Sequence, residues 1–272
     1  MNKEKYNNLM KDKCGLVIGV ANDRSLAWGI TKACAEANAK IALTYQNEAL
    51  KKRILPLAES INSKLSLQCD IQSSENLDKV FKKIKEEFGG LDFIVHAVAY
   101  SNKDELKGRY VDTTRENFIQ TMDVSCYSFT SLIKHALPYL NSNSSLLSLS
   151  YMGAEKVIPH YNVMGVAKAA LETSVKYLAS DLGQNNIRVN AISAGPVRTL
   201  ASSGIGDFRY ILKWNEYNSP LQRNITIEDV GGAALYLLSD LSAGTTGEIL
   251  HVDGGYNIIG MKNVNAPDIS KV

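Results

Sequence analysis

Two tyrosines and a lysine stand in one stretch of the chain at a spacing that suits proton-transfer chemistry. They are Tyr151, Tyr161 and Lys168. Seven residues make almost two helical turns, so Tyr161 and Lys168 should share a helix face about 10 Å apart along the axis. A phenol can donate a proton near an anion when a neighbouring ammonium holds its polarity, and that ammonium can also bind sugar hydroxyls. The alternative is that the tyrosines only pack and that Lys168 is a solvated helix lysine.

The segments around these residues have the pattern of a strand followed by a helix. Leu146, Leu147 and Leu149 are typical of the end of a buried strand, and Pro159 closes the following loop. The same alternation runs through the whole chain. Predicted strands cover 14–20, 41–45, 65–69, 91–97, 146–149, 187–192 and 248–252. Predicted helices cover 26–37, 48–61, 75–88, 114–140, 161–185 and 227–239.

Continuous apolar strands that alternate with helices indicate a parallel sheet with helices on both faces. The 272 residues allow one large α/β domain or two small ones, and no linker-like run of Pro, Gly or Ser divides the chain. We therefore expect a single α/β domain over 1–272, with a Rossmann-like, doubly wound parallel sheet of about seven strands. Ligands bind such sheets at the carboxyl ends of the strands.

The residues that follow each predicted strand should therefore converge at one edge of the sheet, and they suit an extended dinucleotide. In strand order they are Gly19, Ala21 and Ser25, then Gln46, Asp70, Val98, Tyr151 with Tyr161, and Gly195 with Pro196.

The first turn departs from the G-x-G-x-x-G pattern of dinucleotide-binding proteins, because Gly15 and Gly19 are followed by Ser25 and Gly29. The chemistry still fits a pyrophosphate. Gly19 allows close approach of the backbone, and the Ser25 hydroxyl and the first amides of the helix present donors. Gly29 should let this helix pack close to the strand. The alternative is an ordinary strand, turn and helix with Ser25 as its N-cap.

Composition excludes several other classes. With 45% hydrophobic and 21% charged residues and a net charge of +2, the chain has no basic footprint for nucleic acid or a membrane surface. Residues 1–13 are polar, unlike a signal peptide, so we expect a cytoplasmic protein. The four cysteines are scattered, which predicts buried thiols and neither disulfides nor a zinc site. The four histidines lack metal-binding spacing, so no metal is expected.

The chain resembles the NADH-dependent enoyl-[acyl-carrier-protein] reductases of bacterial type II fatty acid synthesis, a divergent branch of the short-chain dehydrogenase/reductases. The resemblance covers roughly 11–260 and rests on GVANDRSLAWG at 19–29, TYQN at 44–47, CDI at 69–71, the tyrosines and Lys168, NAISAGPVRTLAS at 190–202 and HVDGG at 251–255. The Tyr-x6-Lys spacing is the most discriminating feature. The carbonyl-reducing members use Tyr-x3-Lys, and here the residue four after Tyr161 is Gly165.

The resemblance implies a set of NADH-binding residues. Gly19, Ser25 and Leu26 would line the pyrophosphate, Asp70 and Ile71 would contact the adenine, and Gln46 would contact the adenosine ribose. At the other end of the cofactor, Val98 would contact the nicotinamide and Lys168 the nicotinamide ribose. Val197 and Thr199 would bind the carboxamide, and Leu200 and Ala201 complete the cofactor set. No Arg or Lys follows Gln46 until Lys51, so a 2′-phosphate lacks a cationic partner there and NADH is favoured over NADPH.

The resemblance also implies a reaction. NADH would reduce a trans-2-enoyl thioester, with Tyr161 donating a hydrogen bond to the enolate oxygen and Lys168 keeping cofactor and phenol in register. Tyr151 would wall the substrate pocket and guide the proton, and Ser101 would join both tyrosines in substrate binding. The acyl-carrier protein is the implied partner, and the implied assembly is a homotetramer with small residues at 231–234 near one interface.

Two further segments carry expectations. The irregular stretch 197–220 fits a substrate-binding lid that presents aromatic side chains to an acyl chain, or alternatively a small helix that packs down. The tail at 263–272 matches nothing and should be mobile.

Two alternative functions stay open. A 3-oxoacyl thioester reductase of the same superfamily would share the fold and the cofactor. Its signature is Tyr-x3-Lys with an upstream serine, and only the serine can be found here, as Ser148 or Ser150. A non-catalytic dinucleotide-binding sensor would be expected to lack the tyrosine or the lysine, and this chain has both.

Overall fold

The fold is built on a parallel sheet of seven strands, in a computed structural model that describes residues 8–200, 202 and 206–269. The strand order is β3-β2-β1-β4-β5-β6-β7, and every neighbouring pair is parallel. The strands are β1 (Cys14–Ile18), β2 (Lys40–Tyr45), β3 (Leu65–Gln68), β4 (Leu91–His96), β5 (Leu140–Ser150), β6 (Arg188–Ala194) and β7 (Ile249–Val252). The predicted fold class is confirmed. For every strand except β5, both the first and the last residue lie within two residues of the predicted bounds.

Helices cover both faces of this sheet, each over its own hydrophobic core. They are α1 (Leu26–Glu36), α2 (Glu48–Ser60), α3 (Ser74–Phe88), α4 (Arg115–Met122), α5 (Ser128–Ala136), α6 (Asn162–Gly183), α7 (Phe208–Asn218) and α8 (Ile227–Leu238). One core joins the sheet to α1, α2 and α8, and the other joins it to α3, α5 and α6. β1 is buried along its whole length and β4 at every residue except Asp92, while the edge strand β7 is half-buried throughout.

The chain reverses its direction of winding between β1 and β4, which are neighbours in the sheet although two strands separate them in sequence. Such a switch point leaves a crevice beyond the carboxyl ends of the two strands. The residues that follow β1 to β4 therefore meet along one edge of the sheet.

The helix predicted over 114–140 is present, but it is not α-helical throughout. A π-helical turn, Asp123–Tyr127, lies between α4 and α5, and α5 ends in a 3₁₀ turn, Leu137–Tyr139. The hydroxyl of Ser125, within the π segment, accepts from the Tyr100 amide and donates to the Tyr100 carbonyl, both at 3.0 Å. These bonds connect the π-helical turn to the loop after β4, a long-range contact that helical periodicity does not reveal.

Two other predicted boundaries need correction. The strand predicted over 146–149 is much longer, because β5 begins at Leu140 with a polar segment that resembles a turn in sequence. The stretch predicted to be irregular over 197–220 contains α7, whose Ile211 and Leu212 are buried. This part of the stretch is therefore helical, and because the helix could itself be the lid, the lid stays a prediction.

Gly29 serves a different contact from the predicted one. A Cβ at Gly29 would lie 2.2 Å from the carbonyl oxygen of Ile227, so this glycine lets α1 approach α8 and not the strand. Gly231 completes the contact, because a Cβ there would lie 2.5 Å from the Gly29 carbonyl oxygen. The small residues predicted to face another subunit are thus partly used within the chain.

The remaining features concern the cysteines, membrane spans and the tail. All four cysteines are buried free thiols, as predicted. Over the described ranges, no helix has the length and apolar character needed to cross a membrane. The amide of Asn263 donates to Asn218 Oδ1 at 2.8 Å, and Ile269 is buried. The part of the tail that ends at Ile269 therefore contacts the domain, and its mobility stays a prediction.

Candidate active site

A cleft of about 330 Å³ lies at the carboxyl ends of β1 to β4. Five of the predicted cofactor residues line it together: Gly19, Gln46, Asp70, Ile71 and Val98. Other lining groups that the sequence did not single out include Thr44, Tyr100, Gln120 and Val124. The topology thus brings residues from four separate turns to one site.

The turn after β1 has the features of a pyrophosphate cradle. Gly19 has φ +106°, and a Cβ there would lie 2.2 Å from the Ala97 carbonyl oxygen. Ser25 occupies the N-cap of α1, but its hydroxyl donates to the Asn22 carbonyl at 2.7 Å and does not cap a helix amide. The first amides of α1 are therefore available to an anion, and the positive end of the helix dipole favours one. Leu26 begins this helix.

The turn after β2 supplies amide and acidic groups and no direct cation. Gln46 is exposed at the rim of the cleft, and its carbonyl accepts from Gln68 Nε2 at 3.3 Å. Lys51, the first cation of α2, pairs with Glu48 at 3.2 Å and lies over the Tyr45 ring. Lys51 therefore lies beside Tyr45, which lines the cleft, and its charge is partly offset by Glu48.

A second cavity of about 270 Å³ adjoins the loop after β5. Its walls are mostly apolar and aromatic, which suits an acyl chain. They include Tyr151, Ile158, Pro196, Tyr210, Trp214 and Tyr256. The indole Nε1 of Trp214 donates to the Tyr256 hydroxyl at 2.5 Å, so α7 is fastened across the cavity to the segment after β7. The predicted lid thus contributes a wall through α7.

The two tyrosines are in contact. Their rings meet edge to face with centroids 5.0 Å apart. Tyr151 lines the second cavity, whereas Tyr161, at the N-cap of α6, is only 7% exposed. Burial, and then the neighbouring Tyr151 and Glu172, raise the pKa of Tyr161, so its phenol stays protonated and can act as a donor. Burial also raises the pKa of Tyr151, with Tyr256 adding to the effect.

Lys168 is a buried cation in α6, the helix whose N-cap is Tyr161. It is 6% exposed, and its Nζ donates to the Leu149 carbonyl at 2.7 Å. Burial lowers the pKa of Lys168 to about 8, against the opposing effects of Cys126 and Glu172. The alternative of a solvated helix lysine is therefore wrong, and the ammonium has two donors left for a ligand.

Two glycines shape this constellation, and sequence reasoning did not single out Gly153. A Cβ at Gly153 would lie 2.3 Å from Cδ1 of Tyr161, so this glycine makes room for the phenol ring. A Cβ at Gly165, in α6, would lie 2.7 Å from the Gly153 carbonyl oxygen. Position 165 therefore cannot hold the lysine of a Tyr-x3-Lys arrangement without movement of the backbone.

The two serines near the end of β5 both donate hydrogen bonds within the protein. Ser148 Oγ donates to the His96 carbonyl at 3.2 Å, and Ser150 Oγ donates to Glu172 Oε1 at 2.5 Å. His96 is buried between Ser148 and Ser128, and burial followed by the charge of Lys168 lowers its pKa to about 3. His96 is thus a neutral structural group. No group of metal-binding side chains occurs among the described residues.

Several predicted residues lie outside both cavities. Ser101 is buried, and its hydroxyl binds Asn117 and Thr121. Thr199 and Ser202 form reciprocal bonds, from Thr199 N to Ser202 Oγ at 2.8 Å and from Ser202 N to Thr199 Oγ1 at 3.1 Å. Val197 packs against the core, and Leu200 is largely exposed. Ala201 lies outside the described residues.

Comparisons with known proteins agree with this geometry. A family model described as enoyl-(acyl carrier protein) reductase matches residues 19–257. The chain is 62% identical over 262 residues to enoyl-[acyl-carrier-protein] reductase [NADH] 1 of Rhizobium meliloti, covering 96% of each chain. The enoyl-(acyl-carrier-protein) reductase of Anaplasma phagocytophilum in complex with NAD is 62% identical with a TM-score of 0.91, covering 96% of this chain and 98% of that one.

A more distant structure broadens the comparison. The Bacillus cereus enoyl-acyl carrier protein reductase with NADP+ and indole naphthyridinone is 46% identical with a TM-score of 0.91, covering 93% of this chain and 100% of that one. These matches extend over nearly the whole length of both partners. The chain therefore belongs to the NADH-dependent enoyl-[acyl-carrier-protein] reductase family, as the spacing of Tyr161 and Lys168 had indicated.

Proposed function

We propose that this protein reduces trans-2-enoyl-[acyl-carrier-protein] thioesters to saturated acyl thioesters with NADH, the last step of the fatty acid elongation cycle. The observation that carries the proposal is the placement of Lys168 seven residues after Tyr161, with position 165 closed to a side chain. The dinucleotide cleft and the apolar cavity lie at the same edge of the sheet, and Tyr151 stands at the wall of the cavity.

The cleft residues fit NADH. Gly19 and the free amides of α1 would hold the pyrophosphate, Asp70 and Ile71 the adenine, Gln46 the ribose and Val98 the nicotinamide. We assign Val197, Thr199, Leu200 and Ala201 to the nicotinamide end of the cofactor by family resemblance. When bound, NADH supplies a hydride to the β-carbon of the substrate.

The side chains of the chain then act on the thioester. Negative charge develops on the thioester oxygen, and the protonated Tyr161 phenol donates a hydrogen bond to it, which typically contributes a few kcal/mol to transition-state stabilisation. Lys168 binds the nicotinamide ribose with its remaining donors and keeps Tyr161 polarised. Tyr151 orients the substrate and guides the proton, and Ser101 supports substrate binding from behind the site.

The partner is an acyl-carrier protein that delivers the enoyl chain. Arg198 and Arg209 are exposed close to the cavity walls on the loop after β6 and on α7, where they can meet an acidic surface. Lys213, also on α7, is paired with Glu216 at 2.9 Å and contributes less. Added salt should therefore weaken use of the carrier-bound substrate more than use of a small thioester.

We also propose that the protein is a cytoplasmic homotetramer. The four buried free thiols suit a reducing compartment. Exposed aromatic side chains on α6 and α8, such as Tyr177 and Tyr236, suit interfaces between copies. Light scattering of the purified protein tests the assembly, and a mass of one chain would contradict it.

The activity is tested by NADH absorbance with a trans-2-enoyl thioester, a 3-oxoacyl thioester and no substrate. Oxidation with the enoyl substrate alone supports the proposal. Oxidation with the 3-oxoacyl substrate would favour the carbonyl reductase, and NADH binding without turnover of either substrate would favour the sensor. A parallel series with NADPH is informative because a relative binds NADP+, and we expect clear preference for NADH.

A further inference from the structure

The buried carboxylate of Glu172 has no part in the chemistry described above. Resting on the proposed function, we propose that Glu172, held by the Ser150 hydroxyl, is a positioning residue that keeps Lys168 protonated and fixed in the active site. The two residues stand four apart in α6, so they share one face about 6 Å apart along the helix axis.

Both members of this pair of ionisable side chains are buried. Glu172 is 9% exposed and Lys168 is 6% exposed. A buried charge is costly unless it has an opposite charge or hydrogen-bond partners close by. Glu172 has the Ser150 hydroxyl at 2.5 Å, and Lys168 has the Leu149 carbonyl at 2.7 Å. Each of the two buried ionisable groups therefore has its own hydrogen bond to β5.

Both groups are fastened to consecutive residues of β5. Lys168 binds the carbonyl of Leu149, and Glu172 binds the side chain of Ser150. The next residue is Tyr151, which lines the substrate cavity and packs against Tyr161. One face of α6 therefore sets both the position of the ammonium and the end of the strand that carries Tyr151.

The charges around Lys168 indicate what Glu172 contributes. Burial lowers the pKa of Lys168, while Cys126 and Glu172 raise it. The Cys126 thiol is neutral at ordinary pH because burial raises its pKa. His96, which also faces Lys168, is neutral because its pKa is lowered to about 3. Glu172 is thus the carboxylate that favours the ammonium form of Lys168.

The pKa of Glu172 is raised overall by burial, and three neighbours offset part of that rise. Burial raises its pKa, with Glu155 adding to that effect, whereas the Ser150 hydroxyl, His251 and Lys176 lower it. Glu155 itself pairs with His251 at 2.9 Å, which offsets its charge. Because the Ser150 hydroxyl is the largest of the lowering influences, removing it should reduce the charge on Glu172 and, through it, the protonation of Lys168.

The sign of the effect follows from these contacts. The ammonium form of Lys168 is lost as pH rises through a pKa of about 8. Without the Glu172 carboxylate this loss should begin at lower pH, because an opposite charge no longer favours the ammonium. The alkaline limb of the pH–rate profile should move in the same direction, while a packing role alone would leave its position unchanged.

The test uses the full-length protein and the variants Glu172→Gln, Glu172→Asp and Ser150→Ala, with Glu155→Gln as the matched control. Side-chain NMR of labelled lysine follows the Lys168 titration without and with NAD+, and a Lys168→Met spectrum assigns the signal. We expect the midpoint to fall by about one pH unit in Glu172→Gln, to fall less in Ser150→Ala, to recover in Glu172→Asp and to stay in place in Glu155→Gln.

The proposal is overturned if the midpoint is unmoved in both Glu172→Gln and Ser150→Ala. Ser150→Ala keeps the carboxylate and so gives a result even where Glu172→Gln does not fold. Failure of the proposed function is a separate result, because it would appear as absent enoyl reduction by the wild type, whereas failure of this inference leaves that activity and the Lys168 midpoint intact.

Discussion

The cofactor cleft and the substrate cavity lie at the same edge of the sheet but are built in different ways. The cleft is lined mainly by the short turns that follow β1 to β4, so main-chain geometry and topology create it. The cavity is walled by large side chains from α7 and from the segments after β5 and β7. Ligand binding in the cleft should therefore be sensitive to substitutions that add side-chain atoms. Ligand binding in the cavity should be sensitive to substitutions that remove them.

The ends of two packed helices sharpen this contrast. The N-terminus of α8 is closed by a capping box, in which Thr226 Oγ1 accepts from Asp229 N and the Asp229 carboxylate accepts from Thr226 N. The N-terminus of α1, beside the cleft, lacks a side-chain cap because Ser25 bonds to Asn22. A side-chain cap contributes about 1 kcal/mol to the stability of a helix. The uncapped end of α1 therefore lacks that contribution, and its amides can bind an anion.

The largest expected effect comes from Lys168, which is buried and hydrogen-bonded to the Leu149 carbonyl near the end of β5. Lys168→Ala should lower kcat/KM for the enoyl thioester by about 10³ and also weaken NADH binding, because in the proposed site its ammonium would serve both the ribose and the phenol. Steady-state kinetics and fluorescence titration with NADH measure the two losses. Lys176→Ala, an exposed lysine two turns further along α6, is the control. Equal losses in both variants would remove the special role of Lys168.

A smaller effect should be confined to the cleft. Gly19→Ala places a methyl group 2.2 Å from the Ala97 carbonyl oxygen at φ +106°, which costs about 1–3 kcal/mol and displaces the turn that receives the pyrophosphate. NADH affinity, measured by calorimetry, should fall about tenfold or more.

The control for this variant is Gly232→Ala, because a Cβ at Gly232 meets nothing within 4 Å. An alanine there should raise the melting temperature slightly, since Gly232 lies inside α8. Unchanged NADH affinity in Gly19→Ala would contradict the main-chain origin of the cleft.

The smallest effect should be confined to the cavity. Trp214→Leu removes an aromatic wall and its bond to Tyr256, so KM for a long enoyl chain should rise about tenfold while the Kd for NADH stays constant. Tyr217→Leu, on the same helix but outside the cavity lining, should leave both constants near wild type. A matched loss of NADH affinity in Trp214→Leu would show that the two regions are not separable.

The contrast also explains how much the sequence could predict. Apolar strands and their alternation with helices were sufficient for the sheet and for most of the cleft residues, because topology places strand ends together. Ile71 was added only by the family resemblance. The π-helical turn inside the helix over 114–140 was not predicted, and its Ser125 bonds to Tyr100, a contact between distant segments. Local periodicity holds no information about such a bond.

The substrate region was harder to predict for the same reason. The role of Gly153 follows from the position of the Tyr161 ring, and that of Glu172 from the Ser150 hydroxyl. One signal was present, because Glu172 falls one turn after Lys168 on the face expected to be functional. The helix α7 was obscured by the glycine- and serine-rich segment that precedes it.

The central claim is that Tyr161, the more buried of the two tyrosines, supplies the hydrogen bond to the enolate. Stopped-flow measurement of hydride transfer in Tyr161→Phe and Tyr151→Phe, each saturated with NADH and enoyl thioester, tests it most directly. We predict that Tyr161→Phe slows this step by about 10²–10³ and that Tyr151→Phe slows it much less, with NADH affinity retained in both. A larger loss in Tyr151→Phe would contradict the claim and assign the donor to the tyrosine that lines the cavity.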